Sequence, residues 1–109
     1  MTWMNDIDVR NFLQGQKLAA YDPDTLERVA IITYNVDGSC LAEFSDGTKS
    51  AGQYGFVEDR YWTQYDSFRN GEQHEFRLQP LRPQVVQAYF ADGRRAFVQS
   101  PLLSLLDEA

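Results

Sequence analysis

The sequence predicts an all-β fold: an antiparallel up-and-down meander of about eight strands, closed into a barrel with a short helix at each end. Three observations carry that expectation. Tyr34-Asn35-Val36-Asp37-Gly38, Phe44-Ser45-Asp46-Gly47 and Tyr89-Phe90-Ala91-Asp92-Gly93 each set an aromatic residue shortly before an Asp-Gly pair. Both residues of that pair tolerate the positive φ of a type I′ turn, and the aromatic suits the end of a strand. Turn signals then recur at roughly eight to twelve residues, the spacing of a barrel or sandwich. The links between strands are too short for the long crossings of a Greek key.

Taken in order, residues 5–14 read as a short helix. Asn5 or Asp6 caps it, Asp6 and Asp8 sit at the positive end of its dipole, and Gly15 stands at its stop. Val9, Phe12 and Leu13 share a face. So short a helix is marginal alone and is expected to plug or cap something. Strands follow at 17–21 and 28–34, separated by the Asp22-Pro23-Asp24-Thr25 turn. The second is apolar on both sides, which suggests cover on both faces. Strands at 39–44 and 49–57 come next; Gly52 and Gly55 in the latter suggest a bulge or sharp bend.

After Glu58-Asp59, residues 60–68 put Tyr61, Thr63 and Tyr65 on one face and Trp62, Gln64, Asp66 and Phe68 on the other. Arg69-Asn70-Gly71-Glu72 is a hairpin loop. Residues 73–79 alternate cleanly, with His74, Phe76 and Leu78 on one side. Pro80 and Pro83 are expected to interrupt pairing, since neither donates to a ladder. Residues 84–90 and 94–99 form a last hairpin. Ser100 and Pro101 read as the cap and first residue of a C-terminal helix over 101–107, with Leu102, Leu103, Leu105 and Leu106 on its oily side.

The chain of 109 residues has the length of one domain, 1–109, able to bury a core without staples. A net charge of −6 disfavours nucleic acid and anionic membranes, which both require a basic face. With one cysteine and one histidine, an intrachain disulfide and a Cys/His zinc site are excluded. There is no basic-then-apolar secretory leader and no run of ~18–20 apolar residues, so the expected location is the cytoplasm.

The helix ending in Phe12-Leu13-Gln14-Gly15-Gln16, the Tyr/Phe-x-x-Asp-Gly turns, and the run Gly52-Gln53-Tyr54-Gly55-Phe56, Tyr61-Trp62-Thr63-Gln64-Tyr65, Glu75-Phe76-Arg77-Leu78 together resemble small bacterial lipocalin-like (calycin-like) meander-barrel proteins. The likeness covers about residues 12–98, without the Gly-x-Trp signature or the cysteine pair of exported relatives. It implies a barrel with an interior pocket and no particular activity.

Among chemistry-bearing residues, His74 is the one side chain that titrates naturally near neutrality. On the face of Phe76 and Leu78 it would anchor a polar ligand end or ligate haem iron, or else serve as a hydrogen-bonded core or rim residue. Tyr54, Tyr61, Trp62, Tyr65 and Phe68 concentrate aromatic area, as a pocket wall or ordinary core does. The arginines are scattered; one placed among inward aromatics would pair a carboxylate ligand, while solvation at the surface is the ordinary case. Asp22, Asp24, Asp37 and Asp46 lack the spacing of a calcium loop and read as turn residues. Cys40 reads as a small packed apolar residue.

No nucleophile, metal cluster or phosphate loop stands out, so the expectation is non-enzymatic, cofactor-free binding of a small apolar or amphipathic ligand in the barrel interior. Trp62, Tyr65, His74, Phe76 and Tyr89 are the candidate ligand contacts. The alternative is a protein-interaction module with a filled core, acting through its acidic surface or through Leu102, Leu103, Leu105 and Leu106 on a partner or a second copy of the chain. Interior volume separates the two readings: a cavity of ~300 Å³ or more supports the first, a filled core the second.

Overall fold

The structure is a computed structural model and describes residues 2–101. A short helix, α1 (Asp6–Leu13), is followed by β1 (Lys17–Tyr21), β2 (Arg28–Tyr34), β3 (Ser39–Phe44), β4 (Lys49–Val57), β5 (Arg60–Tyr65), β6 (Gln73–Arg82), β7 (Val85–Phe90) and β8 (Arg95–Pro101). Each strand pairs antiparallel with the next, and β8 returns to pair with β1, so the sheet closes into a barrel with no free edge. The expected all-β meander is the fold observed.

The turns form as their residues dictate. In the loops after β2, β3 and β7, the carboxylates of Asp37, Asp46 and Asp92 each accept the backbone N–H two residues on, at 2.9, 2.9 and 3.0 Å. The Ser39 and Thr48 hydroxyls also donate to Asp37 and Asp46, at 2.7 and 2.6 Å. Those hydroxyl bonds, then the backbone ones, hold Asp37 and Asp46 below their ordinary range, and the backbone bond from Arg94, then its side chain, does so for Asp92. Gly38, Gly47 and Gly93 take the positive φ each reversal requires.

Helix α1 begins where Asn5 accepts the Asp8 N–H at 2.9 Å. Its buried residues Val9 and Leu13 join the barrel core and close one end, and the Arg10 guanidinium lies 4.7 Å from the Phe56 ring. At this plugged end lie the turns after β2, β4 and β6. The loops 22–27, 45–48, 66–72 and 91–94 surround the other end, the mouth.

Four local expectations are corrected. Strand β2 is covered on one side: Ala30, Ile32 and Tyr34 are buried, whereas Val29 on the outer face is 41 % exposed. Strand β4 pairs with both neighbours without a register shift, so Gly52 and Gly55 do not mark a bulge. A Cβ on Gly52 would lie 2.3 Å from the Gln64 carbonyl oxygen, and one on Gly55 would lie 2.7 Å from the Trp62 indole. Close approach is the reason for both glycines. Pro80 does not end β6; it pairs with Val86, and the strand runs to Arg82 across a register shift. Finally, Ser100 and Pro101 do not open a helix, because β8 extends through them and pairs with Ala19 and Leu18. The remainder of that expected helix, with Leu102, Leu103, Leu105 and Leu106, lies outside the described residues.

Candidate functional site

The barrel interior is packed for most of its length. Toward the plugged end and centre, Tyr34, Tyr61, Phe76, Leu18 and Leu78 are fully buried. Gln99, also fully buried, links two of the tyrosines: its amide donates to the Tyr61 hydroxyl at 2.8 Å, and its carbonyl oxygen accepts from the Tyr34 hydroxyl at 3.4 Å. Burial raises the Tyr34, Tyr61 and Tyr65 hydroxyls above their ordinary range, and raises the Cys40 thiol to about 11. The centre is therefore a neutral, hydrogen-bonded plug of aromatic residues.

Near the mouth the inward residues become small. Ala20 faces Ala30 across β1–β2, and Ala42 follows one strand along, opposite Ile32. Their short side chains leave a gap of about 60 Å³, bounded also by Val29, Phe44, Thr63, Tyr65, Phe68, Arg69 and Phe97. That is room for about two water-sized volumes of ~30 Å³, well short of the ~300 Å³ of a typical ligand cavity. Val29, Phe44 and Phe68 also border an open groove on the outside of the mouth, lined by Ser45, Thr48, Lys49 and Ser67.

Arg69 forms the lid of this gap. Its guanidinium stands 4.8, 5.4, 5.1 and 5.8 Å from the rings of Phe68, Phe76, Phe90 and Phe97. The side chain is directed there by an unusual backbone. Arg69, Asn70 and Gly71 hold φ of 58°, 57° and 70° in succession, a left-handed turn that costs a non-glycine residue about 1–2 kcal/mol. The loop is anchored on both flanks. The Gln64 amide donates to the Gly71 carbonyl at 2.9 Å, the Ser67 hydroxyl meets that of Ser50 at 3.1 Å, and Phe68 packs on Phe44 and Tyr65 with centroids 4.8 and 5.6 Å apart. Burial lowers the guanidinium's pKa. Among the described residues Arg69 enters no ion pair.

The expected ligand contacts divide by face. Tyr65 borders the gap, and Phe76 lies beneath the Arg69 guanidinium. His74 is half-buried at the mouth, its ring 5.9 Å from Phe90, and does not border the gap. Trp62 and Tyr89 lie on the outer surface. Trp62 follows Tyr61 and precedes Thr63, both buried inward, so strand alternation turns it out over Gly55. Tyr89 pairs with Arg77, donates its hydroxyl proton to Gln79 at 3.0 Å and meets the Trp3 ring edge-on at 5.2 Å. Neither borders the interior.

Arg69 itself was not singled out by the sequence. It precedes an Asn-Gly pair in a loop, where arginine is ordinarily solvated, and its inward course depends on a positive φ that no residue pattern announces. Gln99 was likewise hidden, as a polar residue at an inward strand position. Among the described residues no three His, Cys, Asp or Glu side chains group as a metal site would require, and no helix is long and apolar enough to cross a membrane. In comparisons with known proteins, no family model, no curated protein and no solved structure matches this chain.

Proposed function

We propose that this barrel is a non-enzymatic binding module that takes a small amphipathic ligand at its mouth, its apolar part in the gap beneath Arg69 and its polar end at the rim. The observation that carries this reading is the pairing of a largely apolar gap with a half-buried arginine at its opening that has no ion pair among the described residues. The guanidinium is half-buried against four aromatic rings, which favour a cation there, and its left-handed backbone holds it over the gap. The filled centre supports a short ligand, taken at the mouth.

Methyl-resolved NMR tests it. Added 1-butanol, n-butylamine or sodium butyrate should shift the methyls of Ala20, Ala30, Ala42 and Ile32 saturably for at least one of the three. Val36 and Val57, at the plugged end, should not move. Absence of any saturable response at the mouth overturns the reading.

By interior volume, the gap of about 60 Å³ goes against a ligand held within the barrel and favours a second reading, a protein-interaction module. Four large apolar side chains are exposed at the plugged end or on its helix: Ile7, Val36, Val57 and Leu81, at 65, 73, 46 and 54 %. Native mass spectrometry separates the readings, since a dimer that dissociates when the chain is cut after Pro101 would move the function from the mouth to the C-terminal leucines.

A further inference from the structure

We infer that the ligand of this mouth is a short-chain monocarboxylate, held by charge-assisted hydrogen bonds from the Arg69 guanidinium with its alkyl tail in the alanine-lined gap. The inference rests on the binding function proposed above and names the ligand's chemical class. Three independent features converge on it.

The first is charge. The guanidinium has no carboxylate partner among the described residues, although the chain carries sixteen acidic residues against ten lysines and arginines. Of the other arginines around the mouth, Arg94 pairs with Asp92 at 2.7 Å and Arg95 with Asp24, while Arg28, which has no ion pair among the described residues, borders the outer groove and not the gap. Arg69 thus stands as the unpaired cation bordering the gap, and an anion supplied from solution would complete it.

The second is geometry. Phe68, Phe76, Phe90 and Phe97 approach the guanidinium carbon as aromatic rings approach a cation, which stabilises the charge and restrains the planar group. The N–H groups of a guanidinium present a planar fork that fits a carboxylate in two parallel bonds, with a precision that a lysine ammonium lacks.

The third is size. A gap of about 60 Å³, walled mainly by Ala20, Ala30, Ala42 and Ile32 and bordered also by Thr63, accepts no more than a short alkyl tail. A longer chain would have to turn outward past Val29, Phe44 and Phe68. A dianion would bring a second charge that no free cation in the gap wall answers.

Titration of the full chain with matched probes tests this, read from the Ala30 and Ile32 methyl shifts. Butyrate should bind at least tenfold tighter than 1-butanol, which shares its tail, and tighter than nitrate, which shares its charge but has no tail. Arg69→Met keeps the apolar length and should lose about tenfold or more in butyrate affinity, the worth of a charge-assisted hydrogen bond. Arg69→Lys keeps the charge without the fork and should fall between Met and wild type. Equal response to butyrate and 1-butanol, unchanged in Arg69→Met, overturns the carboxylate assignment and leaves the mouth as a binding site. Equal affinity for nitrate overturns the tail assignment. Silence toward every probe overturns this inference together with the function it rests on. If Arg69→Met does not fold, the wild-type comparison of butyrate with 1-butanol still decides.

Discussion

At the scale of single residues, two glycines and an arginine carry most of what composition could not. Gly52 lets the β4 and β5 backbones approach, and Gly55 seats the Trp62 indole. Gly52→Ala sets a Cβ against backbone, which cannot give, so it should destabilise by about 1–3 kcal/mol or more. Gly55→Ala presses on a side chain at the surface and should cost less. Urea denaturation orders the two; a larger loss for Gly55→Ala would contradict the contact geometry. Cys40 offers a second check. Its thiol, raised to about 11 by burial, should stay unreactive to a disulfide reagent near neutral pH until the protein unfolds. Prompt labelling of the folded chain would place it elsewhere. The face of Tyr65 and Phe76 was legible from alternation alone. The same alternation excludes Trp62 from the interior, because neighbours on a strand point to opposite sides. Arg69 was illegible because a local left-handed backbone decides its direction.

At the scale of elements, strand boundaries followed the turn residues closely wherever Asp-Gly marked the reversal, since a bond from the Asp carboxylate to the N–H two residues on forms with little help from the rest of the fold. Pro83 falls in the turn between β6 and β7 as expected, but two other prolines misled. Pro80 sits in β6 next to a register shift, where a missing N–H is tolerated, and Pro101 occupies the last position of β8, so neither breaks the sheet. Barrel closure overrides the local preference of Ser100-Pro101 for a helix start, because β8 must extend to reach β1. Helix α1 was readable by its cap, yet its stability comes from packing. Leu13→Ala should therefore cost about 2–5 kcal/mol, while Asn5→Ala should cost about 1 kcal/mol. Equal losses in chemical denaturation would mean that the cap, and not the plug, holds the helix.

At the scale of the whole molecule, the barrel divides into a plugged end, a neutral aromatic centre and a mouth with a small gap. That division has a pH signature. The folded state raises the hydroxyl pKa of Tyr34, Tyr61 and Tyr65, so their contribution to stability is full below the unfolded value of about 10 and is lost as pH rises above it. Tyrosinate absorbance followed alongside circular dichroism should show these three ionising only as the barrel unfolds. Ionisation of every tyrosine in an intact barrel would show the centre to be wet. The measurement that bears most directly on the central claim, binding in the gap at the mouth, is a butyrate titration of the wild type beside Ala42→Val, a variant that fills the gap from its wall. The Ala30 and Ile32 methyls should titrate in the wild type and stay still in the variant at unchanged fold. Matching titrations in both proteins, or none in the wild type, would contradict it.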